Sequence, residues 1–145
     1  MIRTTTAPPA PTGAKAPHSW LSRGIRLLRL LSVLALFDTL LQAALAGLFI
    51  TGDVGLLDWH AANASVLALL VVLEMVAGFM VWRPGRGPIG PFLLATGLLV
   101  LVGVQQALGE SRVLAAHVPL GITIFGIGAA LTYWSFSHVN EGDPT

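Results

Sequence analysis

Four long apolar stretches, residues 27–50, 61–82, 89–108 and 113–136, alternate with short breaks rich in Gly, Pro and charge. Crossing roughly 30 Å of hydrocarbon takes about 20 helical residues, so each stretch predicts one membrane-spanning helix. The breaks hold residues that need water or turn geometry, such as Thr51-Gly52-Asp53 and Trp82-Arg83-Pro84-Gly85-Arg86. Short connections make neighbouring helices antiparallel, and the pattern predicts an all-α, transmembrane, up-down-up-down four-helix bundle over residues 23–137. Asp58 is expected to cap the second helix, Gly109 to end the third in a left-handed turn and Ser111 to cap the fourth. Pro119 falls early in the fourth helix, where a kink is tolerated.

Residues 1–22, rich in Thr, Ala and Pro, read as a disordered cytoplasmic tail, and residues 138–145 as a short cytoplasmic tail. A cleaved signal ending near Ala44 and Ala46 is the competing reading of the first stretch. That stretch is long for a signal core and Asp38 interrupts it, so it is read as a true span.

Composition agrees with the pattern: 54% of the 145 residues are apolar and 10% charged, outside the range of an ordinary soluble domain. Of the eight cations, Arg3, Lys15, Arg23, Arg26 and Arg29 stand before or at the start of the first stretch, and Arg83 and Arg86 lie between the second and third. The other connections carry Asp53, Asp58, Glu110 and a single base, Arg112. Cations favour the cytoplasmic side, which places both termini and the Arg83 to Arg86 loop there, in a cell membrane. Trp20, Trp82, Tyr133 and Trp134 suit an aromatic belt at the cytoplasmic interface. The chain has no cysteine, which excludes disulfides, iron-sulfur clusters, thiolate zinc sites and covalent haem attachment. Basic residues are too few for a nucleic-acid footprint, and no phosphate loop, His-Glu-x-x-His motif or nucleophile elbow is present.

Candidate chemistry rests on two histidines. His60 and His117 open the second and fourth helices, which run in the same direction, so both lie at similar depth under the outer surface. Helices about 10 Å apart on the sides of a square are roughly 14 Å apart on its diagonal. Two imidazoles across that gap can bracket one haem iron. Small residues near them, Ala61, Ala62, Ala64, Ser65, Ala115, Ala116 and Gly121, permit close approach of a flat ring, and equally of another helix. Ionisable groups inside a membrane are costly and usually functional, which favours a site over two solvated histidines. The leading form is b-type haem, with the two imidazoles as axial ligands of the iron. Zinc or copper would leave tetrahedral positions unfilled.

A second polar layer is expected deeper. Counted from the outer ends at 1.5 Å per residue, Asp38 lies about 18 Å down the first helix and Glu74 about 21 Å below His60. That predicts a shared level in the inner half. Three readings stay open for the two acids: a shared proton, a proton path, or structural acids bonded to neighbouring groups. Gln42, Gln105 and Gln106 lie above them and offer partners for a haem propionate, a quinone oxygen or each other.

The segments His60-Ala61-Ala62-Asn63-Ala64 and His117-Val118-Pro119-Leu120-Gly121, each at the outer start of an even-numbered helix, resemble half of haem A synthase. Members of that family are two four-helix bundles in which histidines on the even-numbered helices bind haem. The layout is also similar to small bacterial four-span membrane proteins with paired histidines. The resemblance implies that His60 and His117 are axial haem ligands. This chain carries one bundle, without the second half that supplies the other histidine pair. Each pair of helices places a histidine at the start of its second member, the pattern of an internal duplication.

Together these features suggest a membrane protein that binds haem b for electron transfer or haem handling and is not an enzyme on its own. Its partners would be the lipid bilayer and a membrane redox or assembly partner, or a second copy of itself. The alternative is a non-catalytic membrane subunit or assembly factor without a cofactor. A transporter is a third reading, for which four spans are few.

Overall fold

The structure, a computed structural model, describes residues 18–137. They form α1 (His18–Ile50), α2 (Leu56–Trp82), α3 (Gly90–Glu110) and α4 (Leu114–Ser137). The expected tails at 1–17 and 138–145, with Arg3 and Lys15, lie outside the described residues. Residues 18–22, expected in the first tail, belong to α1. The cationic stretch Arg23, Arg26 and Arg29 is therefore itself helical.

Each helix is long and apolar enough to cross a membrane. Their outward faces carry exposed large apolar side chains, among them Phe37, Leu69, Val100 and Ile122. Such faces suit lipid, while the helical backbone satisfies its own polar groups as hydrocarbon demands. The chain is a multi-pass integral membrane protein. α1 packs against α2 and α4, and α3 packs against α2 and α4, whereas the pairs α1–α3 and α2–α4 stay apart. This is the square bundle the sequence predicts, with α2 and α4 on one diagonal.

The bundle closes unevenly from end to end. Leu28, Ala77, Val81, Ala95 and Leu131 are fully buried toward the end that carries the Arg83 to Arg86 loop, hereafter the arginine end. Tight packing there depends on Gly78, where an added Cβ would lie 2.8 Å from the Phe92 backbone. Apolar helices in lipid associate through such close approach, because no hydrophobic gain separates helix from lipid contact. Trp82 stacks on Phe92 at 5.5 Å between centroids, and the Arg83 guanidinium lies 4.4 Å from the Trp82 ring centroid. Tyr133 faces outward as a belt residue should, but Trp134 packs against the core instead. At the opposite, histidine end, no residue in 36–66 or 103–123 is buried.

Three helix-end assignments change. α2 starts at Leu56 with Gly55 as its N-cap, so Asp58 sits in the first turn rather than at the cap. Its charge there still complements the positive helix end. α3 continues through Gly109, and Arg112 takes the left-handed conformation at φ 57°. Val113 N donates to Leu108 O at 2.9 Å and Arg112 N to Gly109 O at 3.0 Å. This paired closure satisfies the last carbonyls of α3. Ser111 is consequently the C-cap of α3 and not the N-cap of α4. Gly109 is freed for a different task, described below.

Candidate functional site

His60 and His117 lie in the first turns of α2 and α4, on the diagonal of the square. Although the two backbones stay apart, the imidazoles meet across the bundle with centroids 6.3 Å apart and planes inclined at 57°. Both are half-buried. His60 also meets Phe49 in an edge-type contact at 5.6 Å between centroids.

Each ring is held in the same way by the preceding helix. His60 Nδ1 lies 3.1 Å from the backbone oxygen of Gln42 on α1, and His117 Nδ1 lies 2.9 Å from that of Gln105 on α3. A carbonyl oxygen only accepts, so each Nδ1 must donate and carries the proton. When such a ring is neutral, its lone pair is on Nε2. No hydrogen-bond partner for either Nε2 occurs among the described residues. A histidine whose second nitrogen donates to a carbonyl is the usual arrangement of a metal ligand, because that bond fixes tautomer and orientation.

The spacing also suits a shared metal. With bonds of about 2.0 to 2.1 Å and about 1.1 Å from nitrogen to ring centre, two imidazoles in line on one ion have centroids about 6 Å apart. The observed 6.3 Å is compatible with that distance, and also with ordinary ring packing at about 4.5 to 7 Å. Zinc-type closed coordination is not offered, since no group of three or more His, Cys, Asp or Glu is placed to hold an ion among the described residues.

Gly109 makes room for this geometry. A Cβ there would lie 3.0 Å from His117 Cε1 and 3.3 Å from its Nδ1. Gly121 does the same for Gln105, whose Nε2 would be 3.1 Å from an added Cβ. By contrast, Ala61, Ala62, Ala115 and Ala116, expected to admit a flat ring, face outward, and only Ala64 and Gly121 turn partly inward. The residues that shape the site but were missed are thus Gly109 and the two glutamine carbonyls. Backbone oxygens leave no mark in a sequence, whereas Gly109, the penultimate residue of α3, has the signature of a helix terminator.

The glutamine side chains divide. Gln106 Nε2 donates to Ala64 O at 2.9 Å and ties α3 to α2 beside the site. Gln42 Oε1 and Gln105 Oε1 are buried and without partners. Asp38 is one helical turn below Gln42, with its carboxyl against the Asn63 side chain. Asp38 Oδ2 and Asn63 Nδ2 nonetheless lack partners in hydrogen-bonding geometry.

Asp38 and Glu74 do not share a level. α1 and α2 pair Gln42 with His60 and Asp38 with Asn63. Glu74 is eleven residues beyond Asn63, about 16 Å along the helix. The expected coincidence came from counting α2 from His60, although the helix begins at Leu56. Glu74 is 1% exposed, near the middle of the bundle, with neither carboxyl oxygen bonded.

Compared with protein families, curated proteins and solved structures, the chain matches none. The reading of the site therefore rests on its own geometry.

Proposed function

We propose that the chain is a b-haem-binding membrane protein in which His60 and His117 are the axial ligands, serving electron transfer or haem handling. The observation that carries this reading is the paired geometry. Two imidazoles on diagonal helices, each oriented through Nδ1 by a backbone carbonyl, leave both Nε2 atoms without a protein partner among the described residues, with centroids 6.3 Å apart. Random packing of two histidines gives no reason for the same restraint on both. The matching bonds, each from the histidine to the helix before it, repeat the same arrangement in the two helix pairs.

No residue of 36–66 or 103–123 is buried as a whole, so the pair lies outside the sealed apolar core. When bound, haem supplies reversible one-electron chemistry at iron. The chain's own part is to hold two neutral imidazoles, fix their orientation and supply a low-dielectric surround that tunes the potential. By the cation distribution, the site faces the outside of the cell membrane and the arginine end the cytoplasm.

Protein purified in detergent after expression with haem supplementation is expected to hold haem and to give a reduced b-type optical spectrum. His60→Ala and His117→Ala should each lose most of the haem. Haem content equal to wild type in the double variant would overturn the ligand assignment. Absence of haem from wild type and variants alike would favour the cofactor-free membrane subunit.

A further inference from the structure

We propose that Glu74 is a proton-holding site at the closed end of a water-fed polar column entered from the histidine end. This goes beyond the haem reading and does not depend on it. Six side-chain atoms among the described residues are buried without a hydrogen-bond partner: Gln42 Oε1, Gln105 Oε1, Asp38 Oδ2, Asn63 Nδ2 and both oxygens of Glu74. They are not scattered. Gln42 and Gln105 carry the carbonyls that hold the histidines, Asp38 and Asn63 are one turn below on the α1–α2 seam, and Glu74 lies beneath them. Buried polar atoms in proteins are nearly always satisfied, by ordered water where no protein group is present.

A cavity lies between these levels. Glu74 lines it together with Ala35, Thr39, Val71, Leu98 and Ile124, so all four helices contribute. Its volume of about 10 Å³ is about what one water requires. Side chains on α2 lean toward that helix's N-terminus, so the Glu74 carboxyl reaches from below toward the cavity and the histidine end. Thr39, next to Asp38 in sequence, forms the other wall. Its hydroxyl donates to Ala35 O at 2.7 Å, which leaves the oxygen lone pairs to accept from a water. No other ionisable side chain lines the cavity.

Unpartnered polar groups lie on one side of Glu74 only, where Leu67, Val71, Val102 and Ile124, each 7% exposed or less, narrow the route to the small cavity. Below Glu74 the bundle is sealed by Leu28, Ala77, Val81 and Leu131, each 0% exposed. The buried hydroxyls near that end, Ser32 and Ser135, are already bonded within their own helices. The column therefore ends at Glu74 and does not cross the membrane. A proton passed along the waters forms an O–H bond at the carboxylate as the last water gives up its excess proton. The interior changes from one negative charge to none, with no other bond made or broken.

The test is infrared spectroscopy of the full chain in detergent, following the C=O stretch of a protonated carboxylic acid during transfer from H₂O to D₂O. A band absent from Glu74→Gln is expected, shifting to lower frequency within the mixing time. Asp38→Leu with Asn63→Leu should keep the band and slow its exchange at least tenfold. Thr39→Val, nearly the same shape, should slow it in the same direction should the double variant fail to fold. No wild-type band assignable to Glu74 would overturn the proton site, and unchanged exchange in the column variants would overturn the route.

Discussion

The fit between Gly109 and His117 gives a quantitative test of how the site is held. In Gly109→Ala the new methyl carbon would lie 3.0 Å from His117 Cε1. Carbon contacts are comfortable at about 3.5 to 4.0 Å, so the ring must retreat by roughly 0.5 Å or more. Moved that far from α3, the 2.9 Å bond from Nδ1 to Gln105 O stretches beyond the normal range of about 3.2 Å. Losing a neutral hydrogen bond costs about 0.5 to 1.5 kcal/mol net. Replacing a helical Gly by Ala returns about 0.5 to 1 kcal/mol, so the melting temperature should hardly move. The change instead appears at the ring. In ¹⁵N-histidine spectra the His117 Nδ1–H signal should shift toward that of a weaker hydrogen bond, with His60 little affected. Haem affinity should fall about two- to tenfold, the same free energy expressed as binding. Gly103→Ala on the same helix is the control, because nothing lies within 4 Å of its added Cβ. An unaltered His117 signal in Gly109→Ala, or a haem affinity equal to that of Gly103→Ala, would refute the proposed packing.

Gly78→Val is expected to destabilise the bundle by about 1 to 3 kcal/mol, because its Cβ meets the Phe92 backbone at 2.8 Å and backbone cannot rotate away; thermal unfolding in detergent measures this, and a melt equal to wild type would mean α2 and α3 cross further apart. Because the chain lacks cysteine, single Arg86→Cys and Asp53→Cys proteins can be labelled in intact cells without background. The cation distribution predicts that an impermeant thiol reagent reaches position 53 and not position 86. The reverse pattern would put both histidines on the cytoplasmic face.

Much of the fold could be read from the pattern because lipid imposes it: an apolar run of about 20 residues has few structural options other than a spanning helix. Square order and diagonal histidines followed from short connections alone. Helix ends were less legible. Asp58, Gly109 and Ser111 are good residues for the caps expected of them, yet the hydrogen bonds that close α3 placed Arg112 in the left-handed turn. The histidine pair itself was visible from its depth. Its restraint by Gln42 and Gln105 was not, because main-chain oxygens do it and only the interhelical register brings them to the rings. That register also separated Asp38 from Glu74, which counting along single helices had put together.

Electron paramagnetic resonance of the oxidised, haem-loaded protein tests the shared-ligand geometry most directly, since iron held by two imidazoles is six-coordinate and low-spin. Ligation by His60 and His117 predicts a low-spin signal in wild type, converted to high-spin or lost in each single alanine variant. A high-spin wild-type signal, or a low-spin signal that survives both substitutions together, would contradict it.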